Sequence, residues 1–358
     1  MCQSGSVSNH ARMEGPEMNT TTYGLDIAKT VFQLYWVEPS GKCCNRRFNR
    51  TKLIEFLAKR EPGRVALEAC ASAHWWARQL QGLGHKPVLL HARYVRPFVQ
   101  TNKTDAADAK AIWTAAQQPG MREVAPKSET QQCVLAVHAM RSLRIKMRTM
   151  LVNQLRGMLV EFGIHFRRGR QAGLDEIVQR LPEIESRVPP TLFEAVHQQL
   201  RSLESLDREI AEYDRQITAW GRQDRACQTI SAIPGIGMLT ATALVATIGE
   251  ARTFKSGRQL AAFLGLVPKQ TGTGGKVRLG GISKRGNPYL RTLLIHGART
   301  VLSHLRRKNQ GGWSQALAQK RPTNVVAVAM ANKTVRTVWA LLAHERTYDR
   351  DYVSVRPA

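Results

Sequence analysis

The chain has 358 residues, 43% of them hydrophobic, which is enough for two or three domains with buried cores and excludes a disordered tail. Lys and Arg number 53 against 27 Asp and Glu, giving a formal charge of +26 and a pI near 10.5 that a small-molecule enzyme has no need of; a polyanion is the expected partner. Aromatic residues are only 6%, too few for binding carried by stacked bases, so charge and steep salt dependence should dominate.

Residues 1–20 are polar and aperiodic, with no segment that would make a signal peptide, and Met18 stands just before the first patterned stretch; they read as a disordered start-site extension. No run approaches the ~18 uncharged apolar residues of a membrane span. A cytoplasmic protein is therefore expected. The six cysteines (Cys2, Cys43, Cys44, Cys70, Cys133, Cys227) show neither CxxC nor CxxH spacing, which argues for reduced thiols filling cores rather than disulfides or zinc.

From Tyr23 short apolar runs alternate with helical patterns. YGLDIAK, VFQLYWV and a basic segment near Lys42–Phe48 predict three antiparallel strands, with Pro39–Gly41 as a turn; a helix over 51–59 follows. RVALEA (64–69) predicts a buried strand, 72–83 a helix, KPVLLH (86–91) a strand and 105–116 a helix. The order βββαβαβα suits one mixed sheet with packed helices, an α/β domain over 21–120.

Residues 121–225 carry almost no strand signal and predict a helical domain. Val196, Leu203, Leu206, Ile210, Tyr213, Ile217 and Trp220 keep a three-and-four spacing, the seam of either a coiled coil between chains or a hairpin folded back on 128–161. Arg141, Arg144 and Arg148 share one helical face with Arg156 nearby, which suggests nucleic-acid contact over a merely solvated basic face. A third, mainly helical domain spans 226–345, with 346–358 as a tail. In it IPGIG predicts a helix-hairpin-helix-like turn whose Gly235 and Gly237 expose N–H groups to a phosphate. A glycine-rich loop over 269–291 brings Lys269, Lys276, Arg278, Lys284, Arg285 and Arg291 within reach of phosphates, and 324–342 predicts an apolar packing helix.

Enzymes that cut phosphodiesters hold Mg²⁺, one or two ions, on carboxylate oxygens. In a chain this poor in acid, Asp26 inside the first strand stands out, because an ionised carboxylate there costs several kcal/mol unless paired or metal-bound. Glu68 ends the fourth strand, and Asp105 and Asp108 lie three apart at a helix start, about 5–6 Å between Cβ atoms. Each alone has a plain structural use: a hydrogen-bonded Asp, an edge Glu, a pair of helix-capping acids. Their order along the fold suggests one site.

YGLDIAK, ALEAC, NKTDAADAKAI, IPGIG, FLGLVPKQTGTGGKVRLGGISKRGNPYLR and ANKTVRTVWALL together resemble the insertion-sequence-110 family of DEDD transposases, in the wording of its 1111 subgroup, over about residues 20–345. The resemblance implies a RuvC-like, RNase-H-type N-terminal domain, a coiled-coil middle and a C-terminal transposase domain. It also implies a recombinase that moves its own element, acts as a dimer or tetramer, and selects donor and target DNA with an element-encoded structured guide RNA, the bridge RNA. The family's acidic tetrad falls on Asp26, Glu68, Asp105 and Asp108.

The resemblance further implies a serine-type hydroxyl nucleophile, but this chain has no serine in the loop before Ser283. Thr273 is the nearest positional match, ahead of Thr271, Ser283 and metal-activated water; a turn hydroxyl is its ordinary use. Two other functions remain open: a RuvC-type endonuclease resolving branched DNA, and a non-catalytic nucleic-acid-binding protein, which explains the charge but not the four acids.

Overall fold

The computed structural model describes residues 21–100, 104–167, 169–308 and 312–351, so the expectations for 1–20 and Cys2 lie outside it. It divides between Ser128 and Glu129 into two compact units.

In the first unit the chain forms β1 (Thr22–Ile27), β2 (Val31–Val37), β3 (Cys43–Asn49), α1 (Arg50–Ala58), β4 (Arg64–Glu68), α2 (Ala73–Gly82), β5 (Lys86–Leu90), a single turn α3 (Ala92–Val95), α4 (Asp105–Ala116) and a two-residue β6 (Glu123–Val124). The strands make one six-stranded sheet in the order β3-β2-β1-β4-β5-β6, parallel only through β1, β4 and β5. Alternation of side chains along each strand assigns the two faces. Tyr23, Leu25, Val65 and Leu67 pack with Leu53 and Leu57 of α1 and Trp76 and Leu80 of α2. On the other face Ala66, Val88 and Leu90 pack with Ile112 and Ala115 of α4. The expected βββαβαβα order is found, with only short additions.

In the second unit α5 (Glu129–Val160) is followed by α6 (Arg170–Gln179), α7 (Leu181–Arg187) and α8 (Pro190–Gln223). Helices α5 and α8 pack antiparallel, as three ion pairs show: Arg141 to Asp214, Arg144 to Glu209 and Arg148 to Asp207, the partner number falling as the arginine number rises. Beyond them Val152, Leu155 and Leu159 share a core with Ile177, Ile184, Val196 and Leu203.

The chain continues with α9 (Arg225–Ser231), α10 (Met238–Ile248), α11 (Gly257–Phe263), β7 (Pro268–Thr273), β8 (Lys276–Ile282), α12 (Pro288–Arg307), α13 (Gly312–Lys320) and α14 (Thr323–Ala343). Two domains were expected over 121–345, yet α10 packs on α5, α8 and α12 within one unit. A buried polar network fixes that junction. His138 of α5 bonds Tyr289 Oη at 3.0 Å and Thr242 Oγ1 at 3.0 Å, and Arg141 forks onto Asp214 at 2.6 and 3.2 Å. Burial pushes the His138 imidazole down to about 4, so at neutral pH it is uncharged; because the Thr242 hydroxyl donates to the Met238 carbonyl, Nε2 donates to Thr242 and Nδ1 accepts from Tyr289.

Two expectations change, for the 269–291 loop and the cysteines, and the expected packing helix is found. Residues 269–291 are not one loop: β7 and β8 form an antiparallel ribbon turning at Gly274 and Gly275, whose φ of 55° and 77° suit a two-residue hairpin turn. Helix α14 is long and apolar enough to cross a membrane by length and composition, but its Val326, Ala327, Ala331, Val335 and Val338 are fully buried, as in a core helix. Of the described cysteines, all free, only Cys227 is fully buried; Cys44 packs at the edge of the sheet's core, and Cys43, Cys70 and Cys133 are exposed.

Candidate active site and nucleic-acid interface

Strand β1 fixes Asp26. Leu25 pairs with Leu67 across the parallel β1/β4 ladder, so the following residues, Asp26 and Glu68, are neighbours at the carboxyl ends of adjacent strands. Both lie on the α4 face, two residues beyond Gly24 and Ala66 respectively.

Helix α4 brings the other two acids. It runs antiparallel to β1: Trp113 Nε1 donates to the Thr22 carbonyl at 3.0 Å, and a Cβ placed on Gly24 would stand 2.3 Å from the Ala109 carbonyl oxygen. Two strand residues and four helix residues both span roughly 6–7 Å. Stepping from Gly24 to Asp26 therefore matches stepping from Ala109 to Asp105, and the strand acid meets the helix acids. Thr104 caps α4 by accepting from Ala107 N at 3.2 Å. A second anchor comes from β3: Asn45 Nδ2 donates to the Ala106 carbonyl at 3.0 Å, and Gln33, opposite Asp26 in register, bonds Asn45. Gln33 and Asn45 are positioning residues that sequence reasoning missed, since neither carries a charge or falls in a motif.

Electrostatics reports the convergence. Burial first, then the charges of Asp108, Asp105 and Glu68, raise the Asp26 carboxyl to about 6. In a chain of +26, none of these four acids forms an ion pair with Lys or Arg among the described residues. The Cys70 thiol just beyond β4 is also raised, by burial and then by Glu68. Among the described residues no group of three His, Cys, Asp or Glu side chains stands close enough to hold an ion as placed. The donor set nevertheless fits a hard divalent cation: oxygen ligands only, with mutual repulsion that a bound cation relieves.

The expected cationic contacts divide in two. Arg141, Arg144 and Arg148 are occupied by the α8 carboxylates, Arg156 donates to the Gly169 carbonyl at 3.1 Å, and Arg291 Nη1 donates to the carbonyls of Arg285 at 3.0 Å and Leu264 at 3.3 Å. These five are used to hold the protein's own backbone and helices together. Lys269, Lys276 and Arg278 lie on the ribbon, and Lys284 and Arg285 follow it; all five are exposed, and none is in an ion pair among the described residues. Not one Asp or Glu occurs between Glu250 and Glu345.

The turn over Ile233–Gly237 does join two helices, α9 and α10, with Gly235 at φ 88°. Its glycine serves packing: a Cβ on Gly297 of α12 would stand 2.0 Å from the Gly235 carbonyl oxygen. Gly237 faces open space. Thr273 is exposed at the tip of β7, paired with Lys276, and Thr271 is paired with Arg278. Ser283 lies at the ribbon base, its N–H donating to the Val267 carbonyl at 2.8 Å.

A mixed sheet with carboxylates gathered at one end, in a chain whose ribbon carries exposed cations without an ion pair among the described residues, defines the class: a DEDD, RNase-H-like domain of the kind that processes DNA, a class that generally depends on divalent metal. Residues 23–164 match the DEDD transposase family of the IS110 type, and residues 227–312 match the family described as transposase IS116/IS110/IS902. A probable family 20 transposase of Pseudomonas aeruginosa is 46% identical, covering 92% of this chain and 99% of the relative. The transposase for insertion sequence element IS1111A of Coxiella burnetii is 39% identical over 91% and 90% of the two chains, and that for IS1328 of Yersinia enterocolitica 36% over 93% and 99%. The chain belongs to the IS110-type family of insertion-sequence transposases, DNA transposase and recombinase enzymes.

Proposed function

We propose that this transposase cleaves and exchanges DNA strands in a Mg²⁺-dependent reaction with a covalent protein–DNA intermediate formed on Thr273, and that a structured RNA encoded by its element chooses donor and target. The single observation that carries the metal site is the carboxyl of Asp26, raised by burial and then by the charges of Asp108, Asp105 and Glu68, with no ion pair to any of the four acids among the described residues. Asp26, Glu68, Asp105 and Asp108 would hold the ion or ion pair, which when bound supplies charge stabilisation to the scissile phosphate and its leaving oxygen. Gly24, Gln33 and Asn45 keep these carboxylates in place.

The Thr273 oxygen attacks phosphorus and forms a phosphoester as the bond to the leaving sugar oxygen breaks; the hydroxyl proton passes to solvent and the leaving oxygen takes one up. The displaced bond is conserved as another phosphoester, so rejoining needs no nucleotide cofactor. Lys276 and Arg278, cross-strand partners of Thr273 and Thr271, would screen the phosphate. Guide RNA and DNA together suit the acid-free stretch after Glu250, while the α8 seam packs on α5 as a hairpin within the chain, so a dimer or tetramer would use other surfaces.

The test is denaturing electrophoresis of reactions on element-end DNA carrying a nick that traps the intermediate. Wild type should give a protein–DNA adduct lost in both Asp26→Asn and Thr273→Ala. Cleavage that survives in Thr273→Ala without an adduct would replace the hydroxyl by metal-activated water.

A further inference from the structure

The β7–β8 ribbon has two chemically distinct faces, and only one of them has a role so far. Cross-strand partners share a face, so Thr271, Thr273, Lys276 and Arg278 line one side, while Gln270, Gly272, Val277 and Leu279 line the other. Val277 is 59% and Leu279 69% exposed, among the most exposed large aliphatic residues described, and both sit at the tip half of the ribbon. Gly272 stands opposite Val277, so no side chain from β7 covers it. A side chain cannot be added there freely, because a Cβ on Gly272 would meet the Lys276 carbonyl oxygen at 2.9 Å.

The base of the ribbon is held hard. Arg291 binds carbonyls on both sides of it, Asn332 Nδ2 donates to the Leu266 carbonyl at 3.1 Å, and Gly265 and Gly286 let the two flanking segments touch, a Cβ at either meeting a backbone oxygen at 2.0 Å. The result is a stiff, bare projection with an aliphatic face, standing in a stretch of chain that has no acid. An exposed aliphatic pair on a water-facing ribbon has a free-energy cost that a partner must offset, and the surrounding charge selects a nucleic acid. A two-stranded ribbon fits the B-form major groove, whereas the narrow, deep groove of A-form RNA does not admit one.

We propose that the ribbon is a wedge for opened duplex DNA: Val277 and Leu279 pack against bases unstacked beside the cleavage position, while the Thr273, Lys276 and Arg278 face engages the sugar-phosphate backbone. Aliphatic side chains inserted at base steps are an established way to hold a duplex open, and strand exchange needs bases unpaired near the cut. This rests on the reading above that duplex DNA is the substrate, but it concerns binding and is measured apart from cleavage.

The experiment uses the full chain without divalent ion and a short fluorescent DNA duplex, either fully paired or carrying a central mismatched bubble with 2-aminopurine in it. Wild type should prefer the bubble and brighten the 2-aminopurine. The double variant Val277→Ser, Leu279→Ser should lose about tenfold of that preference, as expected when two aliphatic side chains are no longer buried, and leave the salt slope unchanged. The double variant Lys276→Gln, Arg278→Gln should keep the preference while its salt slope falls by about two. The ribbon contributes nothing to either core, so melting temperatures should match wild type. Full preference and brightening in the serine variant overturns the wedge, as does a change in its sedimentation without DNA, which would assign the face to another protein copy. Cleavage that is unaffected by Asp26→Asn, with wedge behaviour intact, would instead sink only the proposed metal-dependent strand exchange.

Discussion

The α5–α8 pair and the carboxylate end of the sheet use the same side chains to opposite ends. Along the helices every acid of the ladder, Asp207, Glu209 and Asp214, has an arginine reaching for it. At the sheet end Asp26, Glu68, Asp105 and Asp108 form no ion pair among the described residues, and burial together with the other three charges pushes the Asp26 carboxyl up to about 6. In a chain with nearly twice as many cations as acids, leaving four acids unpaired is the less probable outcome of folding alone. Paired charge holds the helices together here, and the unpaired acids are where we propose that a divalent cation binds.

Breaking the contrast at its unpaired side should have the largest effect. Asp26→Asn is expected to lower metal-dependent DNA cleavage by at least about a thousandfold while leaving the melting temperature equal or higher, because a repelled buried charge is removed; cleavage assays and calorimetry check both halves. Next comes Gly24→Ala, which forces α4 away from β1. It should reduce cleavage by about a hundredfold through misplaced Asp105 and Asp108 and cost about 1–3 kcal/mol in denaturant unfolding.

His138→Phe leaves the Tyr289 and Thr242 hydroxyls of the junction without their partner, and a loss of about 2–3 kcal/mol is expected by the same unfolding measurement. The wild-type pH dependence follows from the same imidazole. Its folded value of about 4 lies below the ordinary 6.5, so the unfolded chain binds the proton first and stability contributed by the neutral ring falls as pH drops from 6.5 toward 4. Asp26 has the opposite sign: its folded value lies above 3.8, so protonation between pH 6 and 4 relieves strain in the first unit. The smallest effect belongs to the ladder. Arg144→Ala should leave the unfolding midpoint close to wild type and the salt slope of DNA binding unchanged, whereas Lys276→Gln should make that slope shallower by about one.

The sequence was most informative where periodicity and chemistry coincide. YGLDIAK and RVALEA declare buried strands by their apolar runs, and an acid inside such a run declares itself by its cost, so Asp26 and Glu68 were readable one by one. The register that makes them neighbours was not, because it depends on the parallel pairing of β1 with β4. Arg141, Arg144 and Arg148 were legible as one helical face but not as a ladder, since their partners lie some sixty to seventy residues away on α8. Arg291 looked like a phosphate ligand and is a clamp on the ribbon base. The ribbon itself was hidden by its glycines, which read as loop although Thr271, Thr273, Lys276 and Arg278 alternate as a strand pair requires. Gln33 and Asn45 carried no signal at all, because an uncharged amide shows its use only through the partner it reaches.

Mn²⁺ binding by the wild-type chain and by Asp26→Asn, followed by electron paramagnetic resonance of the free ion across pH 5 to 8, tests the carboxylate site most directly. Wild type should bind the ion with an affinity that rises as pH passes about 6, where Asp26 gives up its proton, and Asp26→Asn should lose both the tight binding and that rise. Equal binding by the two proteins at every pH would contradict the site.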